Sequence, residues 1–129
     1  MVALDKVQQS NGQAATTYPT GLVAVFAGAT AGIGETSLRE FARHTSKPRI
    51  YIIGRSREAC DRLDADLKTV NSEGQYTFIR SDISLLRNVD DVCRQIKDKE
   101  TAINVLFMSQ GTLNFSKREQ QTVLYAHIA

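Results

Sequence analysis

Three glycines near residue 30 have the spacing of a turn that binds a diphosphate. Gly28, Gly32 and Gly34 follow the apolar run 22–27 and precede residues with helical spacing. A diphosphate must come close to the backbone N–H groups at the start of a helix. Side chains at Gly28 and Gly32 would block the turn or that approach, and Gly34 would let the helix pack close to a sheet. The segment therefore predicts a nucleotide site; its alternative is a tight turn that binds nothing.

The elements that must position these glycines are predicted by the period of the apolar residues. Short continuous apolar runs, typical of strands covered on both faces of a parallel sheet, occur at 22–27, 50–53, 76–79 and 103–108. Stretches of helical period separate them. This alternation implies right-handed crossovers and a doubly wound α/β sheet, and we expect the strand order 3-2-1-4. Residues 1–20 have no sustained apolar period, so we expect a flexible leader there and the nucleotide-binding domain at 21–129.

Composition and charge exclude several classes of protein. A chain of 129 residues forms one domain or less, and its net charge of +2 is too balanced to indicate nucleic acid or an anionic membrane as a partner. No apolar run approaches the roughly 18 residues that cross a bilayer. Cys60 and Cys93 lie far apart without a C-x-x-C pattern, so we expect a reduced, cytoplasmic protein. His44 and His127 have no third ligand at metal spacing, so no metal site is predicted.

The Gly-x-x-x-Gly-x-Gly spacing resembles that of the short-chain dehydrogenase/reductase family. Further motifs similar to those of the family follow in the same order at 54–56, 81–83 and 108–111. The overall pattern is similar to fungal reductases of secondary metabolism. The resemblance implies a Rossmann-type fold and reversible hydride transfer between NADP(H) and a carbonyl or alcohol. It also implies that ten residues bind the cofactor: Gly28, Thr30, Gly32, Ile33 and Gly34 at the phosphates, Arg55 and Ser56 at the 2′-phosphate, Asp82 and Ile83 at the adenine, and Gly111 near the ribose.

The end of the second strand indicates which nicotinamide cofactor to expect. An acidic residue there would accept hydrogen bonds from a ribose 2′-hydroxyl. In this chain Gly54 is followed by Arg55 and Ser56, and a guanidinium binds a phosphate through charge-assisted hydrogen bonds. We therefore predict NADP(H) rather than NAD(H), with solvated charges at Arg55 and Arg57 as the alternative. Ala31 stands where many NADP-preferring relatives have a basic residue.

Serines stand where two of the predicted helices begin. Ser56 and Ser84 can each accept a hydrogen bond from the backbone of the first helical turn. Asp82 therefore has two interpretations: it binds the adenine amino group, as the resemblance implies, or it shapes the turn ahead of Ser84. After the fourth strand the chain has Ser109, Gln110 and Gly111 where the family has an Asn-Ala-Gly turn.

The catalytic pair that the resemblance implies is not found among the 129 residues. The family uses a tyrosine as the acid/base and a lysine four positions later that lowers the tyrosine pKa. The residues four positions after the four tyrosines are Leu22, Arg55, Arg80 and Ala129. We assign no catalytic residue and expect the N-terminal, cofactor-binding half of a family member, truncated before the catalytic half. The alternatives are a nucleotide-binding protein without catalysis and an interaction subunit that associates through the apolar edge of strand 103–108.

Overall fold

A computed structural model of the protein describes residues 1–111, in which helices and strands alternate after an N-terminal helix. The alternation predicted from the apolar period is confirmed. The elements are α1 Leu4–Thr17, β1 Val23–Ala27, α2 Gly32–His44, β2 Arg49–Gly54, α3 Arg57–Val70, β3 Gln75–Arg80, α4 Leu86–Lys97 and β4 Val105–Met108.

The four strands form one sheet in which every neighbouring pair is parallel. Their order is β3-β2-β1-β4, which confirms the predicted order. The chain builds outward from β1 to β3 and then returns to place β4 on the other side of β1. Since all strands run in the same direction, their last residues, Ala27, Gly54, Arg80 and Met108, lie along one edge of the sheet.

β1 is buried at all five of its positions, because helices cover both faces of the sheet. Successive side chains of a strand point to opposite faces. Ala24 and Phe26 accordingly belong to one hydrophobic cluster, whereas Val23, Val25 and Ala27 belong to a second. The helical members of the first cluster come from α2 and α3, and those of the second from α4: Leu38, Ala42, Leu63 and Leu67, then Val92 and Ile96. The sheet is therefore doubly wound, as predicted.

The N-terminal segment, for which we expect a flexible leader over residues 1–20, contains a helix. Leu4–Thr17 forms α1, in which no side chain is buried and only Ala14 is half-buried. A helix that buries no face needs no apolar stripe, so the apolar period could not reveal it. Its alanine, glutamine and lysine residues nevertheless favour a helix. Asn11, Ala14 and Tyr18 share a depression with Phe41 of α2, so α1 packs beside the domain. The domain boundary at residue 20 stays a prediction.

Candidate functional site

The predicted cofactor-binding residues lie along the carboxyl edge of the sheet. They follow the ends of the four strands: 28–34 form the turn after β1 and the start of α2, Arg55 and Ser56 follow β2, Asp82 and Ile83 follow β3, and Gly111 follows β4. In open α/β sheets, ligands bind at this edge, where the strand order reverses. The order reverses here between β1 and β4, so the glycine turn 28–34 stands at that point.

The glycine turn packs so closely against the end of β4 that two of its glycines have no room for a side chain. A Cβ on Gly28 would collide with the backbone nitrogen of Gln110. A Cβ on Gly34 would collide with the Gly28 carbonyl oxygen and with the Ser109 hydroxyl. The Ser109 hydroxyl donates a hydrogen bond to the Gly28 carbonyl at 2.9 Å. The backbone N–H of Ser109 donates to the Ala27 carbonyl, also at 2.9 Å. The end of β4 thereby holds the turn in place.

The backbone of the turn leaves open space at the start of α2. Gly28 and Gly32 have φ angles of +79° and +59°, in the left-handed region that favours glycine. No heavy atom lies within 4 Å of a Cβ built on Gly32. The N-cap residue of α2, Ala31, has no side chain that could cap the helix. The first N–H groups of α2 therefore lie next to open space, and this arrangement fits the diphosphate that the glycine spacing predicts.

Two side chains of the turn define its surroundings. Ile33 is 80% exposed and presents an apolar surface at the start of α2. The Thr30 methyl group lies against the end of β2, because a Cβ built on Gly54 would be 2.7 Å from Thr30 Cγ2. The turn and the residues that follow β2 are therefore neighbours, as a site for a whole dinucleotide requires.

A depression of about 500 Å³ lies beyond the ends of β2 and β3. The Nε–H of Arg80 donates to the Arg55 carbonyl at 3.2 Å, so the backbones after the two strands are linked there. The residues that line the depression are Arg55, Arg80, Ser81, Asp82, Asn88, Asp91 and Gln95. Two predicted residues, Arg55 and Asp82, thus lie in one depression.

Ser56 performs the structural role predicted for it. It is the N-cap of α3, and its hydroxyl oxygen accepts a hydrogen bond from the Ala59 N–H at 3.3 Å. This bond uses the oxygen as an acceptor and leaves the hydroxyl proton able to donate to a ligand. The cap and a phosphate contact are therefore compatible.

Asp82 shapes the turn between β3 and α4. Its Oδ1 accepts from the hydroxyl and the backbone N–H of Ser84, at 2.7 and 3.1 Å. These two hydrogen bonds lower the pKa of Asp82. The prediction that Ser84 caps the helix is wrong: α4 begins at Leu86, and its N-cap, Leu85, makes no side-chain hydrogen bond. The helix therefore begins one residue later than a cap at Ser84 would place it.

Charged side chains that no motif singles out join α2 to α3 beside the glycine turn. Arg62 donates to Glu35 Oε1 and Oε2 at 2.7 and 3.0 Å, and to the Thr30 carbonyl at 3.1 Å. Arg39 donates to Glu35 at 2.8 Å and to Asp66 at 2.6 Å. The hydrogen bonds from Arg62, together with those from Arg39, outweigh the effect of burial and lower the pKa of Glu35 to about 2. Glu35 is therefore anionic at neutral pH.

The sequence carries only an indirect signal for this network. Glu35 and Arg39, and likewise Arg62 and Asp66, stand four residues apart, which is ion-pair spacing on a helix. Nothing in that spacing shows that the two pairs face each other. Sequence reasoning therefore missed them.

The remaining sequence expectations concern Gly111, the residues after it, metal ions and membranes. Gly111 is exposed, and no heavy atom lies within 4 Å of a Cβ built on it. His127 lies outside the described residues. Residues 1–111 contain no group of three or more His, Cys, Asp or Glu side chains that could hold a metal ion. No helix in that same part of the chain is both long and apolar enough to cross a membrane.

Sequence comparison connects the chain to one family. The model of the family described as short chain dehydrogenase matches residues 22–125. An NmrA-like family domain-containing oxidoreductase from an Aspergillus species is 43% identical in an alignment of 122 positions that covers 92% of this chain and 36% of that protein. An oxidoreductase from Emericella nidulans is 38% identical over 93% of this chain and 35% of its own length. The chain spans about a third of the length of these curated relatives.

Solved structures show the same fold. L-sorbose reductase from Gluconobacter frateurii, complexed with NADPH and L-sorbose, has a TM-score of 0.64 at 22% identity, over 72% of this chain and 34% of that one. The bulky-bulky ketone specific alcohol dehydrogenase from Comamonas testosteroni has a TM-score of 0.65 at 22% identity, over 80% and 41% of the two chains. At this identity the likeness concerns the fold alone, and it confirms the Rossmann-type sheet.

Substituting Gly34 tests the close approach between the turn and β4. We expect Gly34→Ala to lower the free energy of unfolding by about 1–3 kcal/mol, because the added methyl group has no room. Chemical denaturation of the full chain measures this change. Gly12→Ala is the matched control: it adds the same methyl group in α1, where nothing lies within 4 Å, and should be neutral or stabilise by up to ~1 kcal/mol. Equal effects of the two substitutions would contradict the close approach.

Proposed function

Because the chain belongs to the short chain dehydrogenase family, we propose that it is the cofactor-binding half of an oxidoreductase that transfers a hydride between NADP(H) and a carbonyl or alcohol. The observation that carries this proposal is the glycine turn at the point where the strand order reverses. Gly28 and Gly34 have no room for side chains there, and the start of α2 beside Gly32 is open. A turn that merely connected a strand to a helix would not need the close approach at Gly28 and Gly34 together with the open space beside Gly32.

The described residues bind and orient the cofactor in this proposal. The backbone of the glycine turn holds the diphosphate, with Thr30 and Ile33 beside it. The Asp82 carboxylate accepts from the adenine amino group through Oδ2, since Oδ1 already receives both bonds from Ser84. The Ile83 N–H donates to the adenine ring, and Gly111 lies near the ribose. The bound nicotinamide supplies or accepts the hydride.

The preference for NADP(H) rests on charge at the end of β2. Arg55 is exposed, lines the depression beyond β2 and β3, and stands where an acidic residue would select NAD(H). Arg80 lines the same depression, so two guanidinium groups are available to a 2′-phosphate. The Ser56 hydroxyl proton adds a third donor. The L-sorbose reductase whose fold this chain shares was solved with NADPH.

The setting of the reaction is also part of the proposal. The curated relatives are fungal oxidoreductases, which supports a role in fungal secondary metabolism with a small carbonyl or alcohol as substrate. Both cysteines are free thiols, Cys60 half-buried and Cys93 exposed, which supports a reducing compartment such as the cytoplasm.

The second candidate function is association through β4. Among residues 1–111, only β1 pairs with β4, so the other edge of β4 has no neighbouring strand. Leu106 and Met108 are 58% and 42% exposed on one face of that strand. A bare apolar edge favours pairing with another strand. A second copy of the chain, placed antiparallel across a two-fold axis, would extend the sheet through both β4 strands.

Substituting Arg55 tests the cofactor preference. We expect Arg55→Ala to weaken NADPH binding about tenfold or more while NADH binding changes little, because only NADPH offers a 2′-phosphate to the guanidinium. Isothermal titration calorimetry with both nucleotides measures the two affinities. Arg57→Ala is the matched control, since Arg57 is the neighbouring exposed arginine and its nearest acidic partner, Asp61, is 4.0 Å away. Equal weakening of NADPH and NADH by Arg55→Ala would remove the argument for the 2′-phosphate.

A turnover measurement separates the reductase from a binding protein. We expect the purified 129-residue chain to bind NADPH without oxidising it in the presence of aldehydes and ketones, because no Tyr-x-x-x-Lys pair occurs among its residues. The absorbance of NADPH reports oxidation. Gly34→Asp, which fills the turn with a charged side chain, reveals any contaminating enzyme. Carbonyl-dependent oxidation that disappears in Gly34→Asp would show that this chain is itself catalytic.

The mass of the chain in solution tests association through β4. We expect sedimentation to show a dimer, and we expect Leu106→Lys to shift it toward the 14.3 kDa monomer, since a charge on that face opposes pairing. Leu86→Lys changes a similarly exposed leucine on α4 and should leave the dimer intact. A wild-type chain that is monomeric at every concentration would contradict the proposed association.

A further inference from the structure

Arg62 connects α3 to the glycine turn through one guanidinium group. Its Nη2 donates to the Thr30 carbonyl at 3.1 Å and to Glu35 Oε2 at 3.0 Å, while Nη1 donates to Glu35 Oε1 at 2.7 Å. Thr30 lies in the middle of the turn, and Glu35 lies in the first turn of α2. The side chain therefore holds both the turn and the start of the helix that follows it.

The bond to the Thr30 carbonyl fixes a backbone N–H group as well. A trans peptide is planar, so the carbonyl of Thr30 and the N–H of Ala31 point in opposite directions. No cis peptide bond occurs in the described residues. When Arg62 holds the Thr30 oxygen toward α3, the Ala31 N–H must point away from α3. The Ser109 hydroxyl fixes the peptide between Gly28 and Ala29 in the same way.

Arg62 also neutralises a negative charge at the expected position of the diphosphate. Glu35 carries its charge in the first turn of α2, where the diphosphate is expected to bind. Arg39 also contacts Glu35 but lies closer to Asp66, at 2.6 Å, whereas Arg62 is 3.9 Å from Asp66. The two arginines and two carboxylates together have no net charge. Without Arg62 the remaining three groups carry one negative charge, which would repel the diphosphate.

We propose that Arg62 is a positioning residue of the dinucleotide site, which acts by holding the Thr30–Ala31 peptide and by neutralising Glu35. The proposal rests on the proposed function, because it assumes that the glycine turn binds the diphosphate of NADP(H). Both actions concern the diphosphate, which NADPH and NADH share. Arg62 therefore supports the binding of both nucleotides equally, in contrast to Arg55.

Calorimetric titration of the full chain with NADPH and with NADH tests this role. We expect Arg62→Met, which keeps much of the aliphatic stem, to weaken both nucleotides about tenfold and to leave their affinity ratio unchanged. Arg39→Met removes the other cation from Glu35 without touching Thr30, so its effect should be smaller. Lys68→Met removes an exposed ion pair with Asp64 further along α3, and this variant should bind both nucleotides as tightly as the wild type does. Thermal unfolding of each variant verifies that it is folded.

A second substitution separates the role of Arg62 from a general loss of structure. Glu35→Gln removes the charge that Arg62 neutralises, so Glu35→Gln combined with Arg62→Met should recover part of the lost affinity. A destabilised fold would not recover in this way.

Three other results of the titrations would contradict either the role of Arg62 or the proposed function. If the wild-type chain binds both nucleotides and Arg62→Met binds them as tightly as Lys68→Met does, Arg62 has no positioning role. The proposed function would then stand. A loss confined to NADPH would assign Arg62 to the 2′-phosphate and overturn the positioning role. No heat from the wild-type chain with either nucleotide would overturn the proposed function and, with it, the role of Arg62.

Discussion

The contact between the glycine turn and the end of β4 is the constraint on which the candidate site depends. Gly28 and Gly34 lie so close to Ser109 and Gln110 that a single methyl group at either position has no room. Such an approach brings two backbone segments together at the point where the strand order reverses. The start of α2 is open beside this contact, because nothing lies within 4 Å of a Cβ built on Gly32 and Ala31 has no side chain that could cap the helix.

The sheet makes this contact possible by keeping β1 rigid. All five residues of β1 are buried, and they pack alternately into two hydrophobic clusters on opposite faces. Phe26 lies between two other aromatic rings, with ring centroids 5.6 Å from Phe41 of α2 and 5.2 Å from Phe107 of β4. The strand before the turn, the helix after it and the strand beside it therefore share one packed core. The positions of the turn atoms follow from that core rather than from the turn alone.

Much of the fold could be predicted because the signals for it are local. Buried strands such as Ile50–Ile53 are continuous apolar runs, and the order of runs and helical periods implies a doubly wound sheet. α1 was missed because it buries no residue and so has no apolar stripe. Ser56 was identified correctly as a cap, whereas the prediction for Ser84 was wrong, because Ser84 lies in a turn that Asp82 holds and the N-cap of α4 is Leu85. A turn held by a side chain two positions away is not visible in a capping pattern.

For the candidate site too, the parts that the sequence predicts are local, and the parts that it does not predict depend on residues far apart in the chain. The glycines are recognisable because their spacing and their place between strand and helix are sequence properties. The residues that hold the glycine turn are not, since Arg62 is 32 residues from Thr30 and Ser109 is 81 residues from Gly28. Ser109 stands where the family has an asparagine, yet its small side chain suits this chain, because its hydroxyl occupies the space that a Cβ on Gly34 would need. The absence of a side chain at residue 34 therefore leaves the space in which the Ser109 hydroxyl reaches the Gly28 carbonyl.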